Sequence, residues 1–178
     1  TPKSRSYSNV RKAIDDFSNF NLPVMVKPTD SAGSKGVTKV STKNELEDAL
    51  NHAMKHSIAG TIIIEDFLEK KGCSSDSDCF SVNGHLDFIT FSNQRFDPKS
   101  PNPYTPSAYS WPSSISYMNQ TYLKNELQRL INLLNMKSSI YNIEVRETID
   151  NKAYIMEVSP RGGGNRLSEV LHHATGID

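Results

Sequence analysis

Two glutamates near the C-terminal end, Glu144 and Glu157, stand in segments with strand-like apolar patterning, and the turn-forming pair Asp150-Asn151 lies between them. In a hairpin about that turn Glu144 can sit opposite Glu157. Alternation along the second strand would put Glu157, Ser159 and Arg161 on one face. Two carboxylates on one face repel unless a cation joins them. Their hard oxygens suit Mg²⁺, which uses few protein carboxylates and fills its shell with phosphate and water. Mn²⁺ is the alternative ion. Arg161 and the backbone of Gly162 to Gly164 then offer a guanidinium and accessible N–H groups to a second anion, a substrate carboxylate or a developing oxyanion. The apolar run Tyr154-Ile155-Met156 predicts a partly buried Glu157. The competing reading is a solvated pair of acids on an edge hairpin.

A second chemical group lies near the start. Lys27 ends the apolar run from Val24 and is followed by Pro28 and a loop of small residues, Thr29 to Gly36. A lysine at a strand end can hold its ammonium beside phosphate oxygens, and glycines let backbone N–H groups approach them. A solvated lysine beside an ordinary hairpin fits the same residues. The loop lacks the spacing and following hydroxyl of a Walker A motif. Ile62-Ile63-Ile64 runs into Glu65, Asp66, Phe67 and Leu68. This suits a purine pocket, with isoleucines against the ring and a carboxylate or carbonyl accepting from its amine, or else a buried strand ending in surface acids.

Other polar clusters carry less. His52 and His56 share a helical face without the glutamate of a zinc-protease motif, and His172-His173 reads as structural. Cys73 and Cys79 are expected to be free thiols, with too few neighbouring ligands for zinc. Tyr104, Tyr109 and Trp111 either line a substrate pocket or pack their loop onto a sheet.

The elements that would position these groups follow from periodicity. Val10, Ala13, Ile14 and Phe17 predict a helix ended by Asn21 and Pro23, followed by a strand at 24–27 that Pro28 halts. A strand at 37–40 completes a hairpin around the small-residue loop. Thr42 with Glu45 forms a capping-box pattern ahead of the stripe Leu46, Ala49, Leu50, Ala53 and Met54. A second β region runs from Cys79 through Asn83-Gly84 to Phe91. The prolines between Asp97 and Pro112 predict a long surface loop rather than a ladder strand. Leu123, Leu127, Leu130, Ile131 and Leu134 mark an amphipathic helix before the Glu144 and Glu157 strands, and Leu167, Val170 and Leu171 begin a last helix with no evident terminal cap. The fold class is α+β, a small lobe leading into a larger antiparallel sheet.

At 178 residues the chain can bury one sizeable core or two small lobes. Twenty basic and twenty acidic residues give zero formal charge, so no global field holds it on nucleic acid or an anionic membrane. No stretch has the apolar length of a membrane span, and the first residues lack the apolar core of a secretory signal. A cytoplasmic protein is expected.

Taken in order, Val26-Lys27-Pro28, Ser31 to Val37, Ile64 to Phe67, Glu144, and Glu157-Val158-Ser159-Pro160-Arg161-Gly162-Gly163-Gly164 resemble the ATP-grasp superfamily, in its carbamoyl-phosphate-synthase-like and carboxylate-amine (amino-acid) ligase branches. The resemblance covers the chain from about Leu22 to Asp178. It implies two α+β lobes that clasp ATP, a small one over 1–70 with the N-terminal helix and a large one over 71–178, in a protein whose N-terminal substrate domain lies outside this chain. It also implies a ligase in which a carboxylate attacks the γ-phosphate of ATP and the acyl phosphate passes to an amine or similar nucleophile.

The resemblance assigns roles by position. Lys27 corresponds to the phosphate-binding lysine, and Ser34, Lys35 and Gly36 to the loop over the β- and γ-phosphates. Glu65, Asp66, Phe67 and Leu68 correspond to the adenine hinge, Glu144 and Glu157 to the magnesium-bridging acids, and Arg161 to the arginine that meets substrate. There are departures. Ser159 stands where the family has an asparagine metal ligand, which makes its hydroxyl the third candidate metal ligand, binding weakly or through water; Cys73, Ser74 and Ser75 replace the ribose-binding glutamate, leaving Asp76 or Asp78 as substitutes. Arg95 occupies the region of a further phosphate-binding lysine. These departures motivate a second reading, a non-catalytic ATP-binding or interaction module of the same fold.

Overall fold

The computed structural model describes residues 2–101, 105–164 and 166–177. The chain divides into two compact units, residues 1–68 with 99–105 and residues 69–98 with 106–178.

The first unit is a four-stranded antiparallel sheet of order β1-β4-β2-β3, formed by β1 (Ser4–Tyr7), β2 (Val24–Pro28), β3 (Thr38–Val40) and β4 (Ile62–Asp66), with helices α1 (Val10–Asp15) and α2 (Leu46–His56). Alternation sorts its faces. Val24, Val26, Val40, Ile62 and Ile64 join Leu46, Ala49, Leu50 and Ala53 of α2 in one apolar core. Met25 and Lys27 are left on the other face, where Met25 pairs with Lys39 and Glu65, and Lys27 with Ile63. The capping box of Thr42 and Glu45 is present, on a short 3₁₀ turn leading into α2.

Three expectations change. The first helix stops at Asp15 and gives way to a 3₁₀ turn at Phe17–Asn19, well before Pro23. Pro28 does not halt pairing but closes β2 opposite Ile62, at the strand end where a missing N–H costs least. Strand β1, unforeseen in SRSY, pairs along β4 with Tyr7 buried.

Gly36 ends the small-residue loop at φ +77°, and a Cβ there would come within 2.8 Å of both His56 Cβ and Pro28 Cγ. Gly33, at φ +66°, has nothing within 4 Å of the same position. Gly36→Ala is therefore expected to destabilise by about 2 kcal/mol and Gly33→Ala by about 1 kcal/mol, the difference being the clash. Urea denaturation of both variants checks the ranking.

The second unit has a four-stranded antiparallel sheet of order β10-β9-β5-β6, from β5 (Ser75–Val82), β6 (His85–Ile89), β9 (Ser139–Glu147) and β10 (Ala153–Ser159). Helix α3 (Tyr117–Leu133) covers one face, its Leu123, Leu127 and Ile131 packing with Cys79, Tyr141, Ile143 and Val145. Leu134 falls just past the helix and is exposed. Helix α4 (Leu167–Thr175) packs against β5 and is capped after all, by Gly176 in the left-handed conformation. The proline-rich segment is not wholly loop. Strand β8 (Pro106–Ser110) pairs with β7 (Asn93–Phe96), with Pro106 at the strand start and a register shift beside Phe96.

Among the described residues no helix is long and apolar enough to cross a membrane, and Cys73 and Cys79 are free thiols.

Candidate functional site

In the first unit Lys27 lies on the face of the sheet away from the core. Lys27 Nζ lies 2.7 Å from Glu65 Oε1, with the two side chains 28% and 8% exposed. The sequence assigned these residues to different parts of a nucleotide; the fold joins them as a largely buried ion pair. Ile62 and Ile64 sit in the core, so only Ile63 of the isoleucine run belongs to the face that carries Lys27. Lys39 Nζ stands 3.9 Å from the centre of the Phe67 ring, a close cation–π contact beside the expected hinge.

The loop after β2 is held at both ends. The Asp30 carboxylate accepts from Ala59 N, Ser57 Oγ and Ile58 N, and these bonds hold its carboxyl below the usual range. Ser31 Oγ donates to Lys35 O at 2.7 Å. Gly33 and Ser34 both take left-handed backbone conformations, at φ 66° and 56°.

In the second unit, the face of the sheet away from α3 bears the acids. Register places Asp76 opposite Glu144 and Glu144 opposite Glu157, one row of three carboxylates across β5, β9 and β10. The next row is Asp78, Asn142 and Ser159. A bulge makes this possible. Ile155 pairs with Val145 on the core side, and strict alternation would keep Glu157 on that side too. Met156 is the extra residue, and past it Glu157 turns to meet Glu144.

Hydrogen bonds knit the rows together. Asn142 Nδ2 donates to Asp76 Oδ1 at 2.7 Å and to Asp78 Oδ1 at 3.1 Å, while Tyr109 Oη donates to Asp76 Oδ2 at 3.0 Å. Burial raises the Asp76 carboxyl above its ordinary value; Asn142 and Tyr109 oppose the shift, and the charges of Asp78 and Glu157 add to it. Burial likewise raises the Tyr109 phenol, with the Asp76 charge next in effect. Ser159 Oγ donates to Glu157 Oε1 at 2.9 Å.

Several expectations are corrected here. Glu157 is exposed rather than partly buried. Strand β10 ends at Ser159, and the chain turns with Arg161 N donating to Ser159 O at 2.8 Å, so strand alternation does not carry Arg161 onto the face of Glu157. The Arg161 guanidinium donates to Gly162 O. Asp78, one of the two substitutes for a ribose ligand, is only 4% exposed, and its Oδ1 accepts from Gly163 N at 2.8 Å. Arg95 is exposed on β7. Tyr109 and Trp111 pack against one another and bond to the sheet through Asp76 and Thr90. Tyr104 lies outside the described residues.

Among the described residues no three His, Cys, Asp or Glu side chains are grouped closely enough to hold a metal alone. The donor set nevertheless fits magnesium. It offers two acids in register, with a third carboxyl whose charge is disfavoured by burial and like-charged neighbours. Such a set leaves most coordination positions to phosphate and water.

The ATP-grasp domain model matches residues 20–169 of the chain. The carbamoyl phosphate synthase large chain of Thermoanaerobacter sp. (strain X514) is 25% identical over 181 residues, which cover 99% of this chain and 16% of that protein. The D-alanine–D-alanine ligase of Helicobacter pylori (strain HPAG1) is 27% identical over 161 residues, 83% of this chain and 42% of that one. Among solved structures, the biotin carboxylase domain of Hydrogenobacter thermophilus 2-oxoglutarate carboxylase, in complex with MgADP, ADP and bicarbonate, matches with a TM-score of 0.76 at 16% identity. That match covers all of this chain and 40% of that one. The chain thus spans a minor part of each relative.

Proposed function

The chain belongs to the ATP-grasp family, and from that premise we propose that it is the Mg·ATP-binding part of a ligase that activates a carboxylate as an acyl phosphate for an amine or similar nucleophile. The observation that carries this reading is the Glu144–Glu157 pair, brought into register by the bulge at Met156. A bulge costs ladder pairing, and here its effect is to present an acid to another acid, which is unfavourable without a cation.

On this reading the residues divide the labour unit by unit. Lys27 meets phosphate oxygens, and Glu65 holds its ammonium in place. Ser34, Lys35 and Gly36 supply backbone and side-chain donors to the β- and γ-phosphates. Glu65 to Leu68 form the adenine hinge, Glu65 through its backbone because its carboxylate is held by Lys27. Asp76 remains the ribose candidate of the second unit and Arg95 its further phosphate ligand. Glu144 and Glu157 hold the divalent ion, Mg²⁺ or Mn²⁺, with Ser159 orienting Glu157 through its hydroxyl. Bound magnesium would neutralise charge on the transferred phosphoryl oxygens. Arg161 would exchange its bond to Gly162 O for a substrate carboxylate or its phosphorylated form. The other partners in this reading are the carboxylate substrate and the N-terminal domain of a longer protein, in the cytoplasm.

The test is a calorimetric titration with a non-hydrolysable ATP analogue, with and without Mg²⁺. Binding should strengthen with Mg²⁺, and Glu157→Gln should lose roughly tenfold in affinity in the presence of Mg²⁺ and little in its absence. Absence of binding in both conditions overturns the assignment. The serine at 159 favours a second reading, a module that binds nucleotide without turning it over. It predicts the same titration but no ADP release with any carboxylate.

A further inference from the structure

Ser159 spends its only proton on Glu157 Oε1 at 2.9 Å. A hydroxyl is also a weaker ligand for a hard cation than the carbonyl oxygen of an asparagine amide. The residue directly across the ladder from Ser159 is an asparagine, Asn142. Directly opposed residues on one face of an antiparallel pair have Cβ atoms about 5 Å apart, so oxygens on the two side chains can address the same ion.

The orientation of Asn142 is fixed by its neighbours. Its amide end meets Asp76 Oδ1 at 2.7 Å, Asp78 Oδ1 at 3.1 Å and Ser77 O at 3.5 Å. The Ser77 carbonyl can only accept and Asp78 Oδ1 also accepts from Gly163 N, so the nitrogen faces β5. The carbonyl oxygen is thereby directed away from them, and among the described residues no donor reaches it. An independent sign of missing positive charge lies in the same row. Asp78 is 4% exposed, yet its Oδ2 has no hydrogen-bond partner among the described residues. A carboxylate so buried and half satisfied is costly unless a cation sits close by.

We infer that Asn142, rather than Ser159, supplies the neutral oxygen ligand to the cation held by Glu157, the amide having moved one strand across the sheet. Asp76 and Asp78 are then positioning residues that hold the amide nitrogen and so aim its oxygen. This inference rests on the Mg·ATP reading of Glu144 and Glu157.

The experiment measures free Mn²⁺ by electron paramagnetic resonance during titration of the full chain with a non-hydrolysable ATP analogue present, alongside the unfolding midpoint of each variant. Asn142→Ser should weaken Mn²⁺ binding roughly tenfold, and Ser159→Ala by no more than about threefold. The exchanged variant Asn142→Ser with Ser159→Asn should recover most of the loss, because the amide returns to the same ion from the other strand. A purely structural role for Asn142, clamping Asp76 and Asp78, gives no such recovery. The inference is overturned if Ser159→Ala weakens binding as much as Asn142→Ser does, or if the exchanged variant is folded and stays weak. If Glu157→Gln also leaves Mn²⁺ binding unchanged, the underlying magnesium reading has failed instead.

Discussion

Glu147→Ala is expected to lower the stability of the second unit by about 3 kcal/mol, because it removes a charged acceptor that three donors share. Glu147 is the last residue of β9 and is 1% exposed. Its Oε1 accepts from Ser116 Oγ at 2.7 Å and Asn119 Nδ2 at 2.6 Å, and its Oε2 from Ser116 N at 3.2 Å. Ser116 is the N-cap of α3, so the glutamate ties the end of a central strand to the start of the helix that covers the sheet. Losing it leaves buried donors without an acceptor at the point where α3 enters the core. For a chain of this size the corresponding fall in melting midpoint is roughly 6–12 °C.

The same site predicts a pH dependence. Burial alone would raise the Glu147 carboxyl, but the bonds from Ser116 and Asn119 outweigh it and hold the group below its ordinary value. A depressed carboxyl contributes its full stability above the unfolded-state value and loses it as pH falls through the lower folded-state value. Glu147→Gln should therefore be destabilised at neutral pH and show a flatter acid limb than the parent. Urea denaturation followed by circular dichroism between pH 3 and 7 reads both effects, taking the ordinary carboxylate range of about 4 as the pivot. Parallel acid limbs in parent and variant would exclude this role.

Glu147 also illustrates what the sequence could and could not convey. It ends the predicted strand Ile140 to Glu147, where alternation puts it in line with Tyr141, Ile143 and Val145 and on the face opposite Glu144, but the spacing names no partner for either acid. Tertiary contacts separate them: one caps a helix in the core, the other faces its cross-strand partner Glu157. Apolar periodicity was enough for α2, α3 and the strands around the Asp150-Asn151 turn, because one buried face fixes the period. It failed where the period breaks. The bulge at Met156 is silent in Tyr154-Ile155-Met156-Glu157, yet it decides which face Glu157 joins. Of the apolar neighbours that suggested burial for Glu157, Ile155 packs on the core, whereas Tyr154 stands opposite Arg146 and Met156 is the bulge residue past which the acid turns outward. Strand β8 was obscured by prolines that sit at its start and beyond its end, and β1 by having only Tyr7 to bury. The ordered motifs conveyed the family; the ion pair of Lys27 with Glu65 required the register of β2 on β4.

That ion pair sets up the second large effect. Lys27→Ala is expected to weaken binding of a non-hydrolysable ATP analogue roughly 30-fold or more, about 2 kcal/mol, through loss of a cation facing phosphate. It should also cost about 1.5–3 kcal/mol in stability, because Glu65 is left as a buried carboxylate without its partner. The two losses have different origins, and a second substitution separates them. Replacing both partners by apolar residues of similar size, Lys27→Met with Glu65→Leu, removes the stranded charge, so stability should return to near the parent value. Nucleotide affinity should not return with it, since no ammonium is restored. Unfolding curves and calorimetry on the single and double variants make up the measurement. If affinity recovers together with stability, Lys27 acts on nucleotide binding only through the fold of the first unit. If the double variant is stable and still weak, the lysine contributes its charge directly to the bound phosphates, and Glu65 serves to hold that charge in place.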